Sequence, residues 1–156
     1  MKVPKSNYVF NNKKKFNPII YKTIDSSYFY ILVNSYWADK NFNKTGECGG
    51  RVGTVLQFYN NGNVREFAIS EMSADPEYTG QRGVVYTKNN QIKVDLFSSI
   101  SDGDMAILSY KVKIDGNKLY LLETLFSPFG NGETHCYLYE KYEKIPEDYK
   151  QYKADW

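Results

Sequence analysis

The chain has 156 residues, enough for one domain that can bury roughly 70% of its unfolded surface and fold without a metal or a disulfide. Aromatic residues make up 17% of it, with 15 Tyr and 9 Phe, and that bias favours strands and turns over helices. No apolar run nears the roughly 20 residues of a membrane-spanning helix, so no transmembrane segment is expected.

The formal charge of +2 divides unevenly, because residues 1–24 carry six Lys and no acid, leaving 14 bases against 18 acids in the remainder. Residues 1–24 read as a basic, flexible N-terminal segment, solvated and disordered rather than ligand-bearing. Its start, Met1-Lys2-Val3-Pro4-Lys5, has no apolar stretch of the signal-peptide kind, which points to a cytoplasmic protein or to a leader absent from this sequence. Direct nucleic-acid binding is not expected, since a phosphate backbone requires a basic footprint that only this segment provides.

From Tyr28 onward, apolar or alternating runs are separated by turn residues, with no sustained helical period. Eight strands are predicted: Tyr28–Tyr36, Thr54–Tyr59, Val64–Ile69, Gly83–Thr87, Gln91–Phe97, Met105–Ile114, Lys118–Leu125 and His135–Tyr142. Asn61-Gly62, Asn89-Asn90 and Asp115-Gly116 supply three tight hairpin turns, residues suited to positive φ. The other connections, roughly 38–52, 70–82, 98–104 and 126–134, are long. In an up-and-down meander alternate connections fall at opposite ends, so one end is closed by tight turns and the other elaborated by loops. Eight antiparallel strands suffice to close a barrel around side chains or one small ligand. The organisation is therefore a flexible segment over 1–24, an all-β barrel domain over 25–145 and a C-terminal extension over 146–156, with short helices placed in 17–27 or 146–153.

The hairpins Phe58-Tyr59-Asn60-Asn61-Gly62-Asn63-Val64 and Ile114-Asp115-Gly116-Asn117-Lys118-Leu119, with the closing run Tyr137-Leu138-Tyr139-Glu140-Lys141, resemble the lipocalin-like small β-barrel proteins over roughly residues 28–145. Lipocalins proper carry Gly-X-Trp at the start of the first strand; here Trp37 follows Tyr36 at that strand's end, with no Gly two residues before it. The resemblance implies a carrier of a small apolar molecule, with Tyr110, Leu121 and Leu138 lining the interior. A filled core, a β-sandwich or an incompletely closed barrel stays open beside it.

Cys48 lies in the first long loop and Cys136 at the start of the eighth strand, the neighbour of the first strand in a closed barrel. A disulfide and two buried free thiols are both open. Pairing would place the protein outside the cytoplasm, in a periplasm or on a lipid anchor; free thiols leave it cytoplasmic. His135 is the only histidine, no Ser sits in G-x-S-x-G, and Asp102-Gly103-Asp104 lacks the ligand series of a calcium loop. The glycines around Arg51 have no G-K-[ST] after them. No catalytic residue, metal or cofactor is assigned.

The long loops hold Asp39, Glu47, Glu71, Asp75, Glu77, Asp102, Asp104 and Glu133 against Lys40, Lys44, Arg51 and Arg82, with Tyr36, Trp37, Phe42, Tyr78 and Phe129 among them. Acids steer encounter with a basic partner and aromatics anchor it. The leading expectation is thus a non-enzymatic protein-binding module of the inhibitor or immunity-protein type, using Trp37, Asp39, Phe42, Glu47, Asp75, Glu77, Tyr78, Asp102, Asp104 and Phe129; the small apolar ligand is the alternative.

Overall fold

The computed structural model describes residues 10–50, 52–99, 103–124 and 132–156. Nine strands run in chain order: β1 Tyr28–Ala38, β2 Lys44–Glu47, β3 Thr54–Phe58, β4 Asn63–Ala68, β5 Gln81–Lys88, β6 Gln91–Ser99, β7 Met105–Asp115, β8 Lys118–Glu123 and β9 Thr134–Lys144. All pairings between them are antiparallel. Each strand from β3 to β8 pairs with the next, β1 pairs with β3, and β1 also pairs with β9, so eight strands close into a barrel. β2 is an additional short strand against the far half of β1, joined to it through the turn at 39–43.

The tight turns hold the conformations their residues favour. Asn89 and Asn90 both have positive φ (53° and 63°), as a two-residue type I′ hairpin demands, and Gly62 and Gly116 take positive φ in the other two. The end carrying these turns is sealed by a 3₁₀ helix, Pro18–Lys22. Pro18 opens that helix, and the Asn17 side chain accepts a hydrogen bond from the Ile19 amide at 3.1 Å. Ile20 and Ile24 are buried in the interior core, Phe16 packs over Gly62, and the Tyr21 hydroxyl donates to the Tyr59 carbonyl. The segment expected to be flexible is therefore packed from Phe10 onward; its apolar residues outweigh its lysines, because an unplugged barrel end would expose the core.

Alternation divides the strands between two apolar surfaces. Tyr30, Leu32, Leu56, Phe58, Val64, Val85, Val94, Leu96, Tyr110, Val112, Leu119, Leu121 and Tyr139 fill the interior. The outer wall is also apolar in places and is covered by the chain's ends: Phe29, Val55 and Phe67 lie under Ile145 and Tyr149, and Val84 and Tyr86 under Phe10 and Trp156. Trp156 donates from Nε1 to the Gly83 carbonyl at 2.8 Å, and Asn12 donates to the buried Asp95 carboxylate at 2.9 Å. Asp95 also accepts from the Tyr86 and Ser109 hydroxyls, both at 2.7 Å, so the buried carboxyl group has its hydrogen-bond partners. A C-terminal 3₁₀ helix, Glu147–Gln151, carries Tyr149 onto this wall. Among the described residues no helix is long and apolar enough to cross a membrane.

One irregularity matters for the site. The register of β1 against β9 shifts between Leu32 and Asn34. Before the bulge Tyr30 and Leu32 face inward; after it Ser35 and Trp37, opposite Tyr137 and His135, take the inner face, and Tyr36 turns outward against Cys136 and Leu122.

Candidate ligand-binding cavity

The end of the barrel opposite the tight turns holds a cavity of about 380 Å³, near the lower limit of the roughly 300–1,000 Å³ typical of small-molecule sites. Leu96 and Leu121 lie toward its depth, each two residues further from the long-loop end than the inward Ser98 and Glu123, and Leu32 lies three residues before the inward Ser35, across the bulge. Nearer the mouth come Glu66, Gln81, Ser98 and Glu123, with Tyr110, Tyr137 and Tyr139 forming much of the wall. These positions follow from period-two alternation: Glu123 shares the face of Leu119 and Leu121, and Glu66 that of Val64.

Glu123 is held from two sides. The Tyr137 hydroxyl donates to its Oε1 at 3.0 Å, and its Oε2 lies 3.4 Å from His135 Nδ1. His135 stacks on Trp37 with ring centres 4.1 Å apart and planes inclined by 26°, while Tyr137 stands edge-on to Tyr110 at 6.1 Å. On the same wall the Tyr139 hydroxyl donates to Glu66 Oε2 at 3.4 Å. Burial, with the Glu66 charge beside it, pushes the Tyr139 phenol well above its ordinary range, so it remains a neutral donor. A carboxylate in a half-enclosed aromatic mouth, above an apolar floor, can orient a polar head while the floor receives an apolar body.

The residues read from the sequence fall in different places. Tyr110 and Leu121 line the cavity. Leu138 does not face the interior: it alternates with the inward Tyr137 and Tyr139 and packs on the outer wall against the cluster of Tyr36, Leu122 and Cys136. Trp37 reaches the mouth through its stacking on His135 and is 37% exposed. Asp39 is consumed by its own turn, where Oδ1 accepts from the Asn41 and Asn43 amides at 2.8 and 3.0 Å; these bonds hold its carboxyl below the usual range. Phe42, with φ of 67°, folds onto the outer cluster with Lys111 5.7 Å above its ring. Glu47 is exposed and ion-paired with Lys44. Asp75, Glu77 and Tyr78 belong to the loop that turns onto the outer wall of β4, where Thr79 meets Arg65; Asp75 accepts from the Glu77 amide at 2.9 Å and Tyr78 is exposed. Asp104 is exposed just before β7. Asp102 and Phe129 lie outside the described residues. The Phe42 turn and the Asp75 loop lean on β7 and β4, with β5 and β6 between them, so these acids are distributed around the barrel.

The disulfide is not formed, and both thiols are free. Tyr36 pairs with Glu47 on one flank and with Cys136 on the other, so β1 stands between Cys136 and the strand that ends next to Cys48. Two strand spacings are about 10 Å, beyond the roughly 7 Å that a bridge tolerates between α-carbons. Cys136 is fully buried, and burial pushes its thiol up to about 11. Iodoacetamide is accordingly expected to label Cys48 in the native protein and Cys136 only after unfolding; labelling of neither cysteine without reductant would contradict the free-thiol geometry.

The aromatic mouth itself escaped the sequence reading. An acid continuing the inward parity of Leu119 and Leu121, at Glu123, was its available signal. Among the described residues no cluster of three or more His, Cys, Asp or Glu could hold a metal ion. The sequence matches no protein-family profile and no curated protein.

Proposed function

We propose that the protein is a non-enzymatic, lipocalin-like binding protein whose barrel interior takes one small molecule through the long-loop end. The observation that supports this reading is the cavity of about 380 Å³ that remains between the polar mouth and the apolar floor after the barrel's own side chains have packed. The opposite end is plugged by Ile20, Ile24 and Phe16, which leaves the loop end as the way in. The acidic loops support a protein partner less well, because Asp39 and Glu47 have local partners and the Asp75 loop rests on a different wall.

The test is native mass spectrometry of the wild-type chain and Ser98→Phe after exposure to the small-molecule fraction of a cell extract. Ser98 lines the cavity on a half-buried, inward position, so a phenyl ring there fills it without removing a core residue. The expected result is a non-covalent adduct of low mass on the wild type, lost on denaturation and reduced at least about tenfold in Ser98→Phe. Charge reversal at Asp75, Glu77 and Asp104 is expected to leave the adduct in place. An adduct unaffected by Ser98→Phe, or no small adduct but a protein-sized increment from whole extract, would overturn the reading.

A further inference from the structure

We propose that the cavity selects small organic cations, an amine or quaternary ammonium group carried on an apolar body, with Glu123 as the counter-charge. The inference rests on the cavity being a ligand site and adds the chemical class of its occupant. Three observations converge on it. The described residues that line the cavity include the carboxylates Glu66 and Glu123 and no Lys or Arg. The contact that fixes Glu123 most closely is the Tyr137 hydroxyl at 3.0 Å, a neutral donor that orients the carboxylate without cancelling its charge, and the longer contact to His135 Nδ1 at 3.4 Å offsets that charge only when the imidazole is protonated. Around it the aromatic rings form a continuous ladder, Trp37 on His135 at 4.1 Å, His135 beside Tyr137 at 6.1 Å, and Tyr137 beside Tyr110 at 6.1 Å.

Each of these disfavours an anion and favours a cation. A carboxylate only 22% exposed attracts positive charge through less screening solvent than one on an open surface. Aromatic faces carry negative potential, and a cation within about 6 Å of a ring centre gains from it, most strongly with Trp and Tyr. Such an ion gives up water more readily when it is alkylated, which suits a mouth made of rings better than a strongly hydrated metal ion. The floor of Leu32, Leu96 and Leu121 then receives the rest of the molecule.

Benzyltrimethylammonium and neopentylbenzene test this, since they share one shape and differ by a quaternary nitrogen in place of a carbon. Titration calorimetry at low ionic strength is expected to show the cation binding about tenfold or more tightly than the hydrocarbon. Glu123→Gln, which keeps the acceptor for Tyr137 but removes the charge, is expected to abolish that preference while the melting temperature stays close to wild type. Trp37→Leu is expected to weaken the cation more than the isostere. Equal binding of the two probes, or a preference for neopentylbenzene, overturns cation selection and leaves the cavity reading in place; binding of neither probe, to the wild type or to any variant, overturns both.

Discussion

Arg65→Ala is expected to lower the free energy of unfolding by about 3 kcal/mol, read as a fall in the urea midpoint with an unchanged slope. Arg65 is completely buried on the outer wall, yet no carboxylate bonds to it directly among its described hydrogen bonds. Its guanidinium donates to Gln57 Oε1 at 2.7 Å and to Thr79 Oγ1 at 3.3 Å, and lies 4.4 Å from the centre of the Phe67 ring and 5.8 Å from that of Tyr149. Burial lowers its pKa, the charge of Asp75 countering that effect in part. The side chain thus ties four pieces together: β4, β3 through Gln57, the loop through Thr79, and the C-terminal helix that carries Tyr149. Truncation leaves a void among aromatic rings and an unpaired Gln57, and both losses count. Arg65→Met keeps most of the volume and removes the buried charge, so its cost is expected to be less than half that of Ala. Equal losses in the two variants would show that the charge, not the packing, holds the wall.

Gly83→Ala is expected to destabilise by about 2 kcal/mol or more, lowering the melting temperature by roughly 4–8 °C. Gly83 pairs with Leu96 in the register of β5 on β6, and the two strands approach so closely that a β-carbon at 83 would lie 2.3 Å from the Asp95 carbonyl oxygen and 2.6 Å from a Leu96 methyl. The first of these is backbone and cannot rotate away. The pairing is also braced from outside by Trp156, whose indole donates to the Gly83 carbonyl, so a shift of β5 disturbs the C-terminal clamp as well. A melting temperature unchanged by Gly83→Ala would mean that the strands can separate at no cost, contrary to this geometry.

The barrel was legible in the sequence because its signals are local. Eight runs of aromatic and branched residues, with Asn-Gly, Asn-Asn and Asp-Gly between alternate pairs, determine strands and tight hairpins through period-two alternation and positive φ. What was not legible depends on the third dimension. β2, Lys-Thr-Gly-Glu, has no apolar pattern and exists because the upper half of β1 offers it an open edge. The bulge after Leu32 leaves no mark in Val33-Asn34-Ser35, yet it swaps every later side chain of β1 to the opposite face and so brings Trp37 onto His135. Leu138 misses the interior through the same sensitivity to parity, one residue from Tyr137 and Tyr139. The N-terminal segment looked solvated because its lysines dominate its composition, whereas Phe10, Ile20 and Ile24 decide its placement. Of the candidate site, the open end and the inward Tyr110 and Leu121 were readable; the pairing of Glu123 with Tyr137 and His135 required knowing the register of β8 against β9 and β9 against β1.

A small molecule that enters the barrel must perturb the methyl groups that line its cavity. The most direct measurement is a methyl spectrum of Leu- and Val-labelled protein titrated with the small-molecule fraction that yields the adduct. Shifts are expected at Leu96, Leu108 and Leu121, which line the cavity, with the exposed Val33 and Val52 unmoved. Shifts confined to the exposed methyls, with the cavity leucines unchanged, would contradict binding inside the barrel.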